Sequence, residues 1–252
     1  MMDADVYALS YPKAGRTWLR ALIGKLLADR LGIPERWILQ TEFLTRRAGT
    51  PAVRFDHDGS QMIAGIRWTQ MPRDRSRYTG KRVLLLGRDP RDNLVSAYFQ
   101  ATRRINVWTG AISPFLRDER YGVEKLLAFY RIWSESRGVP AAFMFVRYEE
   151  LHADTSGLLA RVLSFLGIDA SPEAIAAAVE YCSFENLRQG EAELRFSDTA
   201  LAPAAHTDPE SFKVRRGKVG GYRDYLSPTD IEFIDAAVAS RGCEFTRAGA
   251  AH

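Results

Sequence analysis

Twice within its first hundred or so residues the chain passes from a short apolar run, through a polar Pro/Gly turn, directly into a stretch of helical period. Val6-Tyr7-Ala8-Leu9 leads through residues 11–15 into 16–31, and the run 82–86 leads through 87–91 into 92–104. In the first helix Trp18, Leu19, Leu22, Ile23, Leu26 and Leu27 recur three and four residues apart, a core-facing stripe that Gly32 and Pro34 bring to an end. A run that is almost wholly apolar, such as 82–86, fits a strand buried on both faces of a parallel sheet. Further strands are expected at 52–55 and 141–146, and helices at 123–137, 149–166 and 171–181, the last with Pro172 behind a Ser171 cap. The alternation predicts an α/β protein: a three-layer, P-loop-like fold with a central parallel sheet flanked by helices. No repeat and no linker divides residues 1–252, so a single domain is expected, with the aperiodic stretch 188–213 as a mobile lid loop.

Composition excludes several classes. The longest apolar stretch, 21–31, is interrupted by Gly24, Lys25, Asp29 and Arg30, so no membrane span is expected. The first six residues carry two Asp and no basic group before an apolar run, unlike a secretory signal. Two cysteines, Cys182 and Cys243, cannot make a disulfide framework or a four-Cys zinc site, and the expected compartment is the cytoplasm. The net charge is +4, yet residues 67–104 alone hold ten basic and three acidic residues. Such asymmetry fits an anionic partner, nucleic acid or a phosphorylated small molecule, as well as a solvated face.

The two turns carry the chemistry. In Ser10-Tyr11-Pro12-Lys13-Ala14-Gly15-Arg16-Thr17-Trp18, main-chain N–H groups at the helix start can cradle an anion that the helix dipole also favours. Lys13 can reach the anion from the loop and Thr17 can donate from the first turn. This is not the nucleoside-triphosphatase loop: its Lys precedes the Gly, and no Ser or Thr follows the Lys to bind Mg²⁺. In Gly87-Arg88-Asp89-Pro90-Arg91-Asp92-Asn93-Leu94-Val95-Ser96, Arg88 leaves a buried strand with a planar fork suited to phosphate oxygens, and Ser96 follows in the helix. In open parallel sheets ligands collect beyond the carboxyl ends of the strands, where both turns would lie.

Together these segments resemble a known family. Tyr11–Trp18 is similar to the 5′-phosphosulfate loop of sulfotransferases that use 3′-phosphoadenosine 5′-phosphosulfate (PAPS), and Arg88–Ser96 is similar to their 3′-phosphate motif. Arg147-Tyr148-Glu149-Glu150-Leu151, Cys182-Ser183-Phe184 and Arg215-Arg216-Gly217-Lys218-Val219-Gly220-Gly221-Tyr222 resemble three later landmarks in the same order. The resemblance implies in-line sulfuryl transfer without a metal, releasing 3′,5′-bisphosphoadenosine (PAP). It implies that Lys13, Ala14, Gly15, Arg16 and Thr17 hold the phosphosulfate, with Lys13 stabilising the departing oxygen. Arg88, Ser96, Arg215, Arg216 and Gly217 would hold the 3′-phosphate, with Ser96 counted among the catalytic residues beside Lys13, and Trp18, Tyr148 and Phe184 would border the adenine.

An acceptor hydroxyl must lose a proton. His57, in Arg54-Phe55-Asp56-His57-Asp58-Gly59, follows an expected strand and stands as the base, its flanking carboxylates able to orient it or raise its basicity. Asp58 is the alternative, and a rival register over Trp68-Thr69-Gln70-Met71-Pro72 would put Gln70 there, which cannot act as a base. Segments 42–49, 105–122 and 188–213 would shape the acceptor pocket. Trp108, Ile112, Phe115 and Phe196 point to an apolar or ring-bearing small molecule, lipid or sugar with a hydroxyl. Oligomeric state is left open. Competing readings are a nucleotide kinase or NTPase, and a nucleic-acid binder built on 67–104.

Overall fold

A computed structural model describes residues 3–198, 201 and 208–247. Four strands, β1 (Val6–Ser10), β2 (Val53–Asp56), β3 (Arg82–Gly87) and β4 (Ala142–Arg147), form one sheet in the order β2-β1-β3-β4. All pairs are parallel, with Val6 opposite Val53, Ser10 opposite Leu86 and Leu86 opposite Val146. The helices are α1 (Arg16–Leu31), α2 (Thr41–Arg47), α3 (Pro90–Arg103), α4 (Ile112–Arg117), α5 (Val123–Ser136), α6 (Tyr148–Ala153), α7 (Thr155–Leu166), α8 (Pro172–Tyr181), α9 (Phe184–Ala192) and α10 (Pro228–Arg241).

The period-2 alternation of the two central strands builds three layers. Val6, Ala8, Leu84 and Leu86 face α1, α7 and α8, while Tyr7, Leu9, Val83 and Leu85 face α3, α5 and α10. The chain leaves β1 for β2 on one side and then returns to β3 on the other, so the sheet reverses its winding between β1 and β3. Ligands bind at such a switch point because the two outgoing loops separate there. Residues 11–15 and Arg88 are those two loops.

The expected helix over 149–166 is two. Asp154 leaves helical geometry and its carboxylate caps α7 by accepting the Gly157 N–H at 2.9 Å, which starts a new axis. The aperiodic stretch 188–213 is also more ordered than expected. Residues 188–192 finish α9, which Ser183 caps through the Asn186 N–H. The Ser197 N–H bonds to the Arg36 carbonyl at 2.9 Å, and a single helical turn covers Pro209–Ser211. Residues 199–200 and 202–207 of the expected lid lie outside the described residues.

Candidate active site

All four strands deliver a polar group at their carboxyl ends. The loop after β1 bends through left-handed conformations at Lys13 (φ 75°) and Gly15 (φ 91°). Gly15 is required twice over: its φ suits glycine, and a Cβ there would stand 2.6 Å from Cδ2 of Tyr148. Gly15 is also the N-cap of α1 and offers no side chain, so the first-turn N–H groups of Arg16 and Thr17 have no side-chain acceptor. Ala14 is fully buried beneath this loop, so only its main chain can serve a ligand.

Arg88 follows β3. Its guanidinium lies 4.4 Å from the centre of the Tyr148 ring, and Nη1 donates to the Lys13 carbonyl at 3.3 Å. Its Nε is buried without a partner, a donor still available to an anion. Ser96 stands on α3, whose start is capped by Asp89 accepting the Arg91 N–H at 2.9 Å. Asp92 on the same helix accepts the N–H groups of Gly220 (2.7 Å) and Tyr222 (2.8 Å), which ties segment 215–222 to the mouth of the site. There Gly217 (φ 60°) lies so close to Phe184 that a Cβ would come within 2.6 Å of its ring.

Tyr148, at the end of β4, forms an aromatic cluster with Trp18 (5.8 Å between ring centres) and His152 (6.1 Å). Trp18 is fixed by its Nε1–H donating to the Cys182 carbonyl at 3.0 Å. His152 is fixed by Nε2 at 3.0 Å from the Gly217 carbonyl, which makes that nitrogen the donor.

His57 follows β2. Its Nδ1 lies 2.9 Å from the Ser10 carbonyl, and a carbonyl only accepts, so Nδ1 carries the proton and Nε2 keeps its lone pair. Two expectations are corrected here. The flanking carboxylates do not orient the ring: Asp56 accepts the His57 main-chain N–H at 2.7 Å, and the Asp58 carboxylate is taken up elsewhere. Nor is His57 made more basic. Burial, then the charge of Arg16, with smaller effects of Lys213 and Lys13, hold its pKa well below the usual value, although the bond to Ser10 opposes them.

Asp58 is 4% exposed and accepts from Tyr78 Oη (2.6 Å), Trp133 Nε1 (2.9 Å) and Arg77 Nη2 (2.8 Å), with Arg75 Nε at 2.9 Å. These contacts saturate its oxygens away from the cavity, which removes it as the alternative base. Gln70 folds back to accept the Arg67 N–H at 2.9 Å and is exposed.

Lys13, Gly15–Trp18, His57, Arg88, Ser96, Tyr148, Phe184 and Arg215–Gly217 line one cavity of about 310 Å³. Every donor-site and base residue expected from the sequence is therefore brought together except the side chain of Ala14, whereas Trp108, Ile112, Phe115 and Phe196, expected at the acceptor pocket, do not line this cavity and pack in or against the core instead. Arg215 and Arg216 also face Glu210 and Asp224: Nη1 of Arg215 donates to Glu210 at 2.8 Å, and Nη1 of Arg216 to Asp224 at 2.9 Å. Lys213, Asp92 and His152 line the cavity as well, and sequence reasoning did not select them. His152 sits one turn after Tyr148, a spacing that could have flagged it. Lys13 and Lys213 both line the cavity, and each is held below its usual pKa. Burial, followed by the charges of Lys213, Arg104 and Arg88, holds the Lys13 pKa well below its usual value. Burial, Arg104 and Arg16 bring Lys213 down to about 7. Among the described residues there is no group of three or more His, Cys, Asp or Glu placed to hold a metal ion, and no helix long and apolar enough to cross a membrane.

A β2-β1-β3-β4 parallel sheet with two polar turns at its switch point, flanking an aromatic slot, defines a P-loop-like α/β fold. The chain belongs to the sulfotransferase domain family, whose model matches residues 3–244. It is 25% identical to cytosolic sulfotransferase 17 of Arabidopsis thaliana over 264 aligned residues, covering 94% of this chain and 74% of that protein. It is 26% identical to a 3-beta-hydroxysteroid sulfotransferase of Cavia porcellus, covering 92% and 82%. Among solved structures it shares its fold with mouse sulfotransferase SULT7A1 complexed with PAP (TM-score 0.64, 19% identity, 96% of this chain and 85% of that one). The same fold is found in retinol dehydratase in complex with androsterone and inactive cofactor PAP (TM-score 0.65, 16% identity, 98% and 82%).

Proposed function

We propose that the protein transfers a sulfuryl group from PAPS to the hydroxyl of a small-molecule, lipid or sugar acceptor, as one domain acting in the cytoplasm. The observation that carries this reading is that the β1 turn, the β3 turn, the aromatic slot and His57 all open onto one cavity. The residues present fit the donor. Gly15 and Gly217, where a Cβ would strike the Tyr148 and Phe184 rings, bring bare main chain against the aromatic slot, and Arg88 Nε is a buried donor in search of an acceptor. The PAP bound in two structural neighbours, and the cytosolic and hydroxysteroid sulfotransferases among the relatives, support the donor, acceptor class and compartment.

In this reading the N–H groups of Gly15, Arg16 and Thr17 hold the 5′-phosphosulfate on the α1 dipole, with Thr17 Oγ1 as a further donor. Arg88, Ser96, Arg215, Arg216 and the Gly217 amide hold the 3′-phosphate, while Trp18, Tyr148 and Phe184 border the adenine. The donor supplies an activated S–O bond. That bond breaks with its electron pair remaining on the phosphate oxygen, and a bond forms between the acceptor oxygen and sulfur. Lys13 stabilises the charge that gathers on the leaving oxygen. His57 Nε2 takes the acceptor's proton, a role for which its neutral form and fixed tautomer prepare it.

The test is calorimetric titration with PAP, ATP and ADP in the absence of metal. PAP binding at least tenfold tighter than ATP is expected; preference for ATP, gained with Mg²⁺, would replace this reading with a nucleotide kinase. A screen of hydroxyl-bearing compounds with labelled PAPS then identifies the acceptor.

A further inference from the structure

Lys213 belongs to none of the segments that resemble family motifs, yet it enters the same cavity from the far side. Its main chain is held by Glu191 of α9, a wholly buried carboxylate that accepts the N–H groups of Lys213 (2.6 Å) and Val214 (2.8 Å) and pairs with Arg104 at 3.2 Å. Arg188 adds a bond to the Val214 carbonyl at 2.7 Å and covers the ring of Phe212. The backbone on both sides of Lys213 is thus pinned, and its side chain lines the cavity with no hydrogen-bond or ion-pair partner among the described residues. A half-buried ammonium without a partner, on a fixed backbone, is a group built for a ligand.

Its neighbours locate that ligand. The charged groups acting on it are Arg104, just past the end of α3, Arg16 and Arg20 of α1, and Glu191 of α9. Among charges, Lys213 acts most strongly on Lys13, and it acts on His57 ahead of Lys13 itself. Lys213 therefore stands near both groups to which the proposed function gives the leaving and attacking oxygens. Arg88, at the 3′-phosphate end, is not among the leading charges that act on it, although Arg215 follows two residues later on the same segment.

We propose that Lys213 is a catalytic residue that contacts the non-bridging oxygens of the donor's sulfuryl group and holds that group in line between Lys13 and His57. The inference rests on the PAPS reading of the site. Lys213 gives up no proton in the step: the phosphate oxygen keeps the electron pair, His57 takes the proton, and Lys213 serves as a fixed positive charge throughout. Its depressed pKa fits a cation waiting for a counter-ion, since an anion arriving beside it would restore its proton.

PAP lacks the sulfuryl group and PAPS carries it, so the pair of ligands isolates the contact. Titrations without acceptor would compare wild type, Lys213→Met and Lys213→Arg. One charge-assisted hydrogen bond corresponds to a loss of roughly tenfold or more. Lys213→Met should weaken PAPS about tenfold while leaving PAP within about twofold, and Lys213→Arg should recover most of the PAPS affinity. Equal losses for both ligands, or no loss for either, would overturn the assignment while leaving the donor reading intact. Wild-type protein that binds neither ligand would overturn both. Retention of PAP affinity by the Met variant is itself the evidence that it folds.

Discussion

Replacing Arg88 with methionine separates the two ends of the donor. The guanidinium has three attachments to weigh: the face of Tyr148 at 4.4 Å, the Lys13 carbonyl at 3.3 Å, and the unpartnered Nε reserved for an anion. The first two exist whichever ligand is bound, and the long bond and the stacking together shape the pocket by about 1 kcal/mol. A fork on a phosphate makes two charge-assisted bonds of roughly 1.5–3 kcal/mol each, of which about 3 kcal/mol survives desolvation. That corresponds to a loss on the order of a hundredfold in affinity, confined to ligands with a 3′-phosphate. The assay is calorimetry without metal, titrating PAP and 5′-AMP into wild type, Arg88→Met and Arg88→Lys. PAP should weaken about a hundredfold in the Met variant, with 5′-AMP changed only a few-fold and the Lys variant between the two. Equal weakening of PAP and 5′-AMP would mean that Arg88 only braces Tyr148 and the β1 turn, and the 3′-phosphate assignment would be wrong.

His57→Gln should lower kcat by roughly 10²–10⁴ while leaving PAP affinity unchanged, and turnover near wild type would remove His57 from the base role. Because burial and then Arg16 hold its pKa down, the acid limb of kcat/KM should fall below the ordinary histidine value of 6.5, and a limb above it would contradict that environment. PAPS binding at pH 8 should take up protons: Lys213, at about 7, and the depressed Lys13 are short of protons in the free cavity, and the phosphosulfate raises both. Affinity should accordingly decline as pH rises above 7, and titrations in buffers of different ionisation enthalpy would expose zero uptake or release as the refuting result. Asp58→Asn should cost about 3–5 kcal/mol of stability, by leaving Arg75 uncompensated, with turnover per folded molecule preserved. A fall in kcat matching that of His57→Gln, in fully folded protein, would return Asp58 to the chemistry.

Much of the candidate site was legible because its groups sit where one strand ends and the next element begins, and such junctions are written in consecutive residues. Val6–Leu9 and 83–86 are apolar throughout because helices cover both faces, and the turns after them hold Gly15 and Arg88. Three features were hidden. The tautomer of His57 is set by the Ser10 carbonyl, and the direction of a backbone carbonyl leaves no mark on residue type. Asp58 stands beside His57 in sequence but turns through a positive φ into a network with Arg75, Arg77, Tyr78 and Trp133, whose members come from a distant helix and loop. Lys213 lies in a stretch without periodicity, and its importance comes from Glu191, twenty-two residues earlier, fixing its main chain. The break at Asp154 and the Ser183 start of α9 are each marked by a single capping residue, a weaker mark in sequence than an apolar period, and the mostly polar FENLRQGEA of α9 shows no such period.

A crystal structure of the protein with PAP would decide whether one adenosine carrier bridges the two turns. The 5′-phosphate should rest on the amides of Gly15–Thr17, the 3′-phosphate on Arg88 and Ser96, and the base beside Trp18, Tyr148 and Phe184. Density for PAP in another cleft, or with both phosphates gathered on a single turn, would contradict the assignment of the site.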